Sequence, residues 1–246
     1  MDPWLYFEVT HSTHQIMNPS SPARLEALVE VLELKAGHRV LDMGCGHAEL
    51  LLRWHELAGT TGIGIDASPY QAERARERVS QRAPGAVEII EGRGQDFATE
   101  EKFDVSCCLG VTWIWGGFAG TLEALVGFTR PGGAIVVGEP YWRREPPVEY
   151  LQRAEVERDA FNELAGCRRI ALEQGLGFIW MAGSTEAEWD EYEMRQSASL
   201  DAYTRAHPDD PDLPELQSQR SQYEDLYFKW ERDCLGWAIW VFRVQD

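Results

Sequence analysis

Two glycines separated by one residue follow a short apolar run near the start of the chain. The run spans residues 39–43, the motif Gly44-Cys45-Gly46 follows at once, and apolar residues then recur at helical spacing. Because glycine has no side chain, the backbone here can lie close to a ligand at the edge where open α/β sheets bind their ligands. The motif favours a ligand-binding loop, and a plain tight turn is the alternative interpretation.

An acidic residue at the end of the next apolar run supports the ligand interpretation. Asp66 ends the run of residues 62–66, where a carboxylate can accept hydrogen bonds from both hydroxyls of a ribose. No Gly-Lys-Ser/Thr follows the glycine loop, which excludes a Walker phosphate loop. Glu49 stands at the start of the next helix, where a carboxylate would repel a pyrophosphate, so an NAD-dependent oxidoreductase is disfavoured. A nucleoside-containing cofactor is predicted.

The elements that carry these residues alternate between strands and helices. Strands are predicted at residues 39–43, 62–66, 86–90, 103–109 and 134–138, the last after the turn Arg130-Pro131-Gly132-Gly133. Helices are predicted at residues 22–34, 50–58 and 122–128, and Ser68-Pro69-Tyr70-Gln71 has the pattern of a capping box that starts another helix. Alternation of this kind implies βαβ units and a doubly wound, mostly parallel sheet.

Residues 35–141 resemble the class I S-adenosylmethionine-dependent methyltransferases, a Rossmann-like family. The resemblance rests on the motifs at residues 40–46, 64–68, 103–105 and 130–133. More narrowly, the motifs at residues 110–118 and 138–142 are similar to those of an uncharacterised bacterial branch with small-molecule-type architecture. The family implies seven strands, with a sixth near residues 177–182 and a seventh, within residues 235–246, that runs antiparallel at the sheet edge.

The resemblance implies S-adenosyl-L-methionine as the cofactor and assigns residues to its parts. Asp42 and the glycine loop would hold the methionine part, and Asp66 the ribose. Arg93 stands where the family often has an aspartate for the adenine, so the backbone of Gly94 and Gln95, or the displaced Asp96, is expected to substitute. The implied cofactor-binding set is Asp42, Gly44, Cys45, Gly46, Asp66, Ala67, Gly94, Gln95 and Gly110.

Methyl transfer is an in-line displacement, so the protein must align an electron-rich acceptor and exclude water, and an acceptor with a proton can also need a base. We assign catalytic roles to Glu139, Tyr141 and His14, and acceptor-binding roles to Trp113, Trp115, His11 and Trp142. Each has a structural alternative: a buried hydrogen bond for the acid and the tyrosine, core packing for the tryptophans, and a solvated or capping role for the histidines.

Composition narrows the acceptor. A net charge of −18 and a pI near 4.7 disfavour nucleic acid and anionic membranes, so we expect a small, uncharged or cationic acceptor. No apolar run is long enough for a membrane span and no secretory leader is evident, which favours a cytoplasmic protein. Five cysteines without metal-ligand spacing favour reduced thiols and no metal site. The oligomeric state stays open.

Four segments are expected to divide the chain: a mobile N-terminal lid (residues 1–20), the cofactor-binding core (21–142), a helical cap (143–234) and the final strand (235–246). Two further functions stay open at this point. One is a metalloid methyltransferase of the arsenite type, in which Cys167 or Cys234 would bind the acceptor. The other is a non-catalytic S-adenosylmethionine-binding protein.

Overall fold

A seven-stranded sheet forms the centre of the molecule in the computed structural model, which describes residues 1–245. The strands are β1 (Arg39–Met43), β2 (Thr61–Asp66), β3 (Val87–Glu91), β4 (Phe103–Leu109), β5 (Thr129–Trp142), β6 (Gly177–Gly183) and β7 (Leu235–Arg243). They lie in the order β3-β2-β1-β4-β5-β7-β6, and β7 runs antiparallel to both of its neighbours. The predicted doubly wound, mostly parallel seven-stranded sheet is confirmed.

Ten helices surround the sheet in the described chain. They are α1 (Leu5–Thr10), α2 (Pro22–Val31), α3 (Glu49–Ala58), α4 (Pro69–Arg82), α5 (Phe118–Phe128), α6 (Val148–Ala154), α7 (Leu164–Glu173), α8 (Glu186–Ala206), α9 (Leu213–Leu226) and α10 (Arg232–Cys234). None of the helices in residues 1–245 is long and apolar enough to cross a membrane.

The helices cover the sheet on both faces. On the first face, α2, α3 and α4 pack buried side chains such as Leu25, Trp54 and Ala75 against β1, β4 and β5. On the second face, α5 and α7 do the same with residues such as Leu122 and Ala171. Successive residues of a strand point to opposite faces, so the position of a residue along its strand decides which face it reaches.

The observed fold differs from the expected one at β5 and β7. Residues 130–133 belong to β5 and form no separate turn, because Thr129 pairs with Phe103 of β4, and Gly132 and Gly133 exchange backbone hydrogen bonds with Val244. The seventh strand lies between β5 and β6, so its predicted place at the sheet edge is wrong. The predicted final strand also extended to residue 246, which lies outside the described residues.

The N-terminal segment (residues 1–20) is packed against the cap. It contains α1, which the sequence pattern did not predict, and Tyr6 and Val9 of α1 are buried against Leu200 of α8 and Leu216 of α9. The segment also meets the glycine loop, because the ring Nδ1 of His47 lies 2.9 Å from the carbonyl oxygen of residue 14. Both contacts place the segment over the carboxyl ends of the first strands.

Candidate active site

A cavity of about 220 Å³ opens between the glycine loop and the N-terminal segment. We call it the central cavity. Its floor is the carboxyl end of β1 with the loop that follows it, and its roof includes Trp4, Phe7 and His11. Tyr192 of α8 closes one side and Gly110 and Val111 after β4 close another. The cavity therefore lies where open α/β sheets bind their ligands.

Close packing explains why the loop needs its glycines. Gly44 and Gly46 adopt φ angles of 74° and 51°, in the left-handed region that glycine reaches without strain. A Cβ at Gly44 would overlap the side chain of Val111, and one at Gly46 would lie 2.7 Å from the Sδ atom of Met17. Ala48, at φ 57°, takes the same conformation without being glycine, a strain that often accompanies functional loops.

Two buried carboxyl groups lie in the floor of the central cavity. Asp42 is 3% exposed, and its Oδ1 has no hydrogen-bond partner within residues 1–245. Burial and the nearby Asp66 raise the pKa of Asp42 to about 7. Asp66 accepts hydrogen bonds from the backbone N–H groups of Gly46, at 2.8 Å, and Ser68, at 3.0 Å, and burial raises its pKa. These carboxyls suit a ligand that brings a cation and hydroxyl donors.

A second cavity, of about 340 Å³, lies beside the ends of β2 and β3. We call it the edge cavity. Ala67, Gly94 and Gln95 line it, together with Ile114, whose carbonyl accepts a hydrogen bond from the Gln95 side chain at 3.1 Å. Trp113 is 69% exposed and lines both cavities. Because the two cavities also share Gly44 and Asp66, one elongated ligand can occupy both.

The edge cavity has no acidic side chain where the family often has an aspartate. Arg93 is one of the residues that line the edge cavity, whereas Asp96 does not line it. The Asp96 carboxylate points outward, with its side chain 73% exposed and an oxygen 3.9 Å from Arg93. Of the expected substitutes, Gly94 and Gln95 are therefore in place and Asp96 is not.

Gln71 and His47 also line the central cavity, and sequence reasoning missed both. Ser68 accepts a hydrogen bond from the backbone N–H of Gln71, at 3.4 Å, which is half of the predicted capping box. The other half is absent in the described structure, because the Gln71 side chain is turned into the cavity beside His47. A glutamine at the third helical position can complete a capping box or point into a cavity, and the sequence pattern alone does not distinguish the two roles.

The two N-terminal histidines, His11 and His14, line different cavities. His11 lines the central cavity, and its Nε2 lies 2.9 Å from the hydroxyl of Tyr192. His14 lies outside that cavity and lines a neighbouring outer cavity of about 540 Å³, between the N-terminal segment and α8. Its Nε2–H donates to the carbonyl of Tyr192 at 3.0 Å. The catalytic assignment of His14 therefore has no geometric support, and Tyr192, which sequence reasoning missed, joins the site.

Glu139 is buried on the other face of the sheet. It alternates with Val136 and Gly138 and shares the second face with Ile135 and Val137, under α5 and α7. Its Oε1 accepts a hydrogen bond from Thr112 at 3.0 Å, and burial raises its pKa to about 7. Among the described residues that line the three cavities Glu139 does not appear. The predicted catalytic role of Glu139 therefore has no support from the geometry of these cavities, and the buried hydrogen bond to Thr112 fits the structural alternative.

Three aromatic candidates likewise lie away from the described cavities. Tyr141 packs against the second-face core, and Trp142 is 2% exposed under the cap, where its indole N–H donates to the carbonyl of Arg158 at 2.9 Å. Trp115 packs behind the turn that carries Gly94. Each ring is held by core contacts, so the catalytic role of Tyr141 and the acceptor-binding roles of Trp115 and Trp142 are not supported.

Glu49 lines the central cavity in a compensated state. Its carboxylate forms ion pairs with Arg53, at 2.7 Å, with Arg82, at 2.8 Å, and with Arg78. The expected repulsion of a phosphate by Glu49 is therefore weaker than the sequence suggested. Glu49 by itself therefore does not exclude a dinucleotide cofactor.

All five cysteines are buried and unpaired. In residues 1–245, no three His, Cys, Asp or Glu side chains stand close enough to hold a metal ion. Burial raises the pKa of Cys167 and Cys234 to about 12 and about 11, which keeps both as thiols near neutral pH. The geometry does not provide the thiolate cluster that a metalloid acceptor needs.

Known proteins resemble this chain over most of its length. A family model described as a methyltransferase domain matches residues 40–133. The uncharacterized protein YjhP of Escherichia coli (strain K12) is 32% identical over 238 residues, which cover 96% of each chain. A SAM-dependent methyltransferase from Geobacter sulfurreducens, solved with S-adenosyl-L-homocysteine, is 33% identical with a TM-score of 0.91 and 97% of each chain covered. A SAM-dependent methyltransferase from Thiobacillus denitrificans, also solved with S-adenosyl-L-homocysteine, is 33% identical with a TM-score of 0.91 and 100% of each chain covered.

Proposed function

The chain belongs to the class I S-adenosylmethionine-dependent methyltransferases, and on this premise we propose that it methylates a small molecule inside the central cavity. Membership confirms the predicted family and the predicted cofactor, S-adenosylmethionine. The cofactor, when bound, supplies a methyl group on a positively charged sulfur. The residues of this chain then have to bind it, orient an acceptor in line with that methyl group and keep water out.

The two connected cavities fit the parts of the cofactor. We assign its ribose to Asp66, where the two cavities meet, and its adenine to the edge cavity beside Gly94 and Gln95. Its methionine part then lies over the glycine loop, where the unpartnered Oδ1 of Asp42 is placed to accept from the ammonium group. These assignments satisfy a buried polar atom that is otherwise unpaired in the described structure.

The enclosure of the central cavity is the observation that carries a small acceptor. The N-terminal segment and α8 cover the carboxyl ends of the strands, and Gln15, Ile16 and Tyr192 separate the central cavity from the outer cavity. A cavity of about 220 Å³ that is partly covered in this way has the size of a site for a metabolite and favours a small acceptor over a nucleic-acid strand. In this account residues 1–20 act as the lid and residues 143–234 as the cap.

The charges around the central cavity favour a neutral or cationic acceptor. Its described lining contains the acidic residues Asp42 and Asp66, a Glu49 whose charge is compensated by arginines outside the lining, and no lysine or arginine. A carboxylate or phosphate on the acceptor would lose its hydration without gaining a cation in return. This agrees with the low affinity for polyanions expected from the net charge of −18.

The proposal is tested by methyl transfer from tritiated S-adenosylmethionine into a cell extract separated into small molecules, RNA and protein. We expect label in the small-molecule fraction. Asp66→Ala is the matched inactive control, because it removes a cofactor contact in the same fold. Label confined to RNA or protein, or equal transfer by Asp66→Ala, would contradict the proposal.

A further inference from the structure

The hydroxyl group of Tyr192 has a fixed orientation in the wall of the central cavity. The side-chain hydroxyl of Thr10 donates to the carbonyl of Tyr6 at 2.7 Å, so its single proton is committed. The 3.0 Å contact between Thr10 Oγ1 and Nδ1 of His11 must then have the histidine as donor. A neutral imidazole that carries its proton on Nδ1 has a lone pair on Nε2. The 2.9 Å contact therefore runs from the hydroxyl of Tyr192 to His11.

The hydrogen bond from Tyr192 to His11 keeps its direction across the physiological pH range. Burial, and the neighbouring His14, lower the pKa of His11 to about 3, so the ring stays neutral. Burial also raises the pKa of Tyr192, so the phenol keeps its proton. Because that proton is used in the bond to His11, the tyrosine oxygen presents only lone pairs to the cavity.

Two further side chains that line the central cavity, His47 and Gln71, offer hydrogen-bond acceptors. Nδ1–H of His47 donates to the backbone carbonyl of residue 14 at 2.9 Å, which leaves a lone pair on its Nε2. The side chain of Gln71 lies beside this ring, and both residues line the central cavity. Gln71 is 3% exposed, and neither its amide oxygen nor its amide nitrogen has a hydrogen-bond partner among the described residues, so the oxygen can accept from a ligand.

The cavity thus offers hydrogen-bond acceptors and aromatic faces, and its described lining includes no cationic side chain. Trp4, Phe7 and Trp113 line it, and aromatic faces attract cations. We propose that the methyl acceptor is an amine, bound through its N–H groups by the lone pairs of Tyr192 and Gln71. This inference deepens the proposed function and rests on it.

Only the neutral form of an amine has the lone pair that the transfer needs, so the ammonium form gives up one proton to solvent before the step, and the site itself needs no base. The nitrogen lone pair of the neutral amine forms a bond to the methyl carbon while the bond from that carbon to sulfur breaks, and the electron pair of that bond stays on sulfur. The positive charge passes from sulfur to the methylated ammonium, whose remaining N–H groups stay bound by the same lone pairs. The proton balance closes without His11, whose low pKa makes it a weak base.

The test uses the whole protein loaded with S-adenosylhomocysteine and three probes of similar size: propylamine, propanol and propionate. Binding is followed by nuclear magnetic resonance. We expect propylammonium to bind at least about tenfold more tightly than propionate, and Tyr192→Phe to weaken its binding about tenfold by removing a hydrogen bond to a charged group. Tyr203→Phe, in the same helix but bound to Asp210, is the matched control and should leave binding unchanged.

Three results would overturn the inference: tighter binding of propionate, no saturable binding of propylamine, or unchanged binding in Tyr192→Phe. A second measurement uses the tritiated product from the small-molecule fraction. An N-methylated amine should be retained by a cation exchanger and resist mild alkali, whereas release of volatile methanol would identify a methyl ester and contradict an amine. Failure of the proposed function is seen separately, as absence of S-adenosylhomocysteine binding or of any transfer.

Discussion

Asp42 in β1 and Glu139 in β5 are two buried carboxyl groups of the same sheet, in strands separated by β4. Burial raises the pKa of each to about 7, and each has one oxygen without a hydrogen-bond partner in the described structure. They differ in what surrounds them. Asp42 forms part of the floor of the central cavity on the first face, whereas Glu139 lies beneath α5 and α7 on the second face.

The difference shows that a perturbed carboxyl is not in itself a sign of function. Perturbed pKa values cluster at functional sites, but burial alone produces them as well. Asp42 faces a cavity and a second carboxyl, so its unpartnered oxygen is available to a ligand. Glu139 accepts a hydrogen bond from Thr112, which starts the 3-10 turn (Thr112–Trp115) that contains Trp113. Its contribution is to hold that turn.

The largest expected effect is on cofactor affinity and comes from Asp66, the second buried carboxyl group in the floor of the central cavity. Asp66→Ala should weaken binding of S-adenosylhomocysteine about tenfold to a hundredfold, because it removes charge-assisted hydrogen bonds to the ribose. Isothermal titration calorimetry measures this change. Asp96→Ala is the control, since that carboxylate is exposed and lines no described cavity, and it should bind normally. Equal loss in both variants would show that the loss does not come from a ribose contact of Asp66.

Cofactor affinity should also depend on pH through Asp42. Its pKa is raised to about 7, so below that pH the group is protonated and gives up its attraction for the ammonium of the cofactor. The affinity of the wild-type protein should therefore fall by up to about tenfold per pH unit between about pH 7 and pH 5.5. In Asp42→Asn the dependence should be shallower, because the group at position 42 no longer takes up a proton. Parallel curves for the two proteins would rule Asp42 out as the source.

The smallest effect is on stability, where the two carboxyls should behave alike. A carboxyl whose folded-state pKa is raised stabilises the fold below its unfolded pKa, and this contribution is lost as the pH rises through about 7. At pH 8 the ionised groups oppose folding. Asp42→Asn and Glu139→Gln should each raise the melting temperature of the cofactor-free protein at pH 8 by roughly 2–4 °C per kcal/mol relieved, and by less at pH 5. Scanning calorimetry at both pH values measures this change. A variant that melts at a lower temperature than the wild-type protein at pH 8 would contradict the prediction.

Local patterns account for the part of the site that could be predicted. The glycine loop follows β1 directly and Asp66 is the last residue of β2, so their place in the fold depends only on residues nearby in the sequence. Even there, the reason for the glycines was found only in the structure. They allow the side chains of Val111 and Met17 to pack against the loop.

Contacts between distant elements could not be predicted in the same way. Tyr192 meets His11 across about three quarters of the chain, through the packing of α8 on α1. Alternation along β5 separates Glu139 from Val136, but both faces of this sheet are covered and apolar, so the pattern does not say which face has the cavity. The choice of Glu139 reflects the ambiguity of the two faces, and the omission of Tyr192 reflects its distance from His11 in the sequence.

Titration of S-adenosylhomocysteine into Asp42→Asn and Glu139→Gln at pH 7.5 tests most directly whether the first face holds the cofactor. Both substitutions neutralise a buried carboxyl with a raised pKa and keep its shape. We predict that Asp42→Asn raises the dissociation constant about tenfold or more, and that Glu139→Gln leaves it within about twofold of the wild-type value. An unchanged constant in Asp42→Asn together with a weakened one in Glu139→Gln would contradict the account.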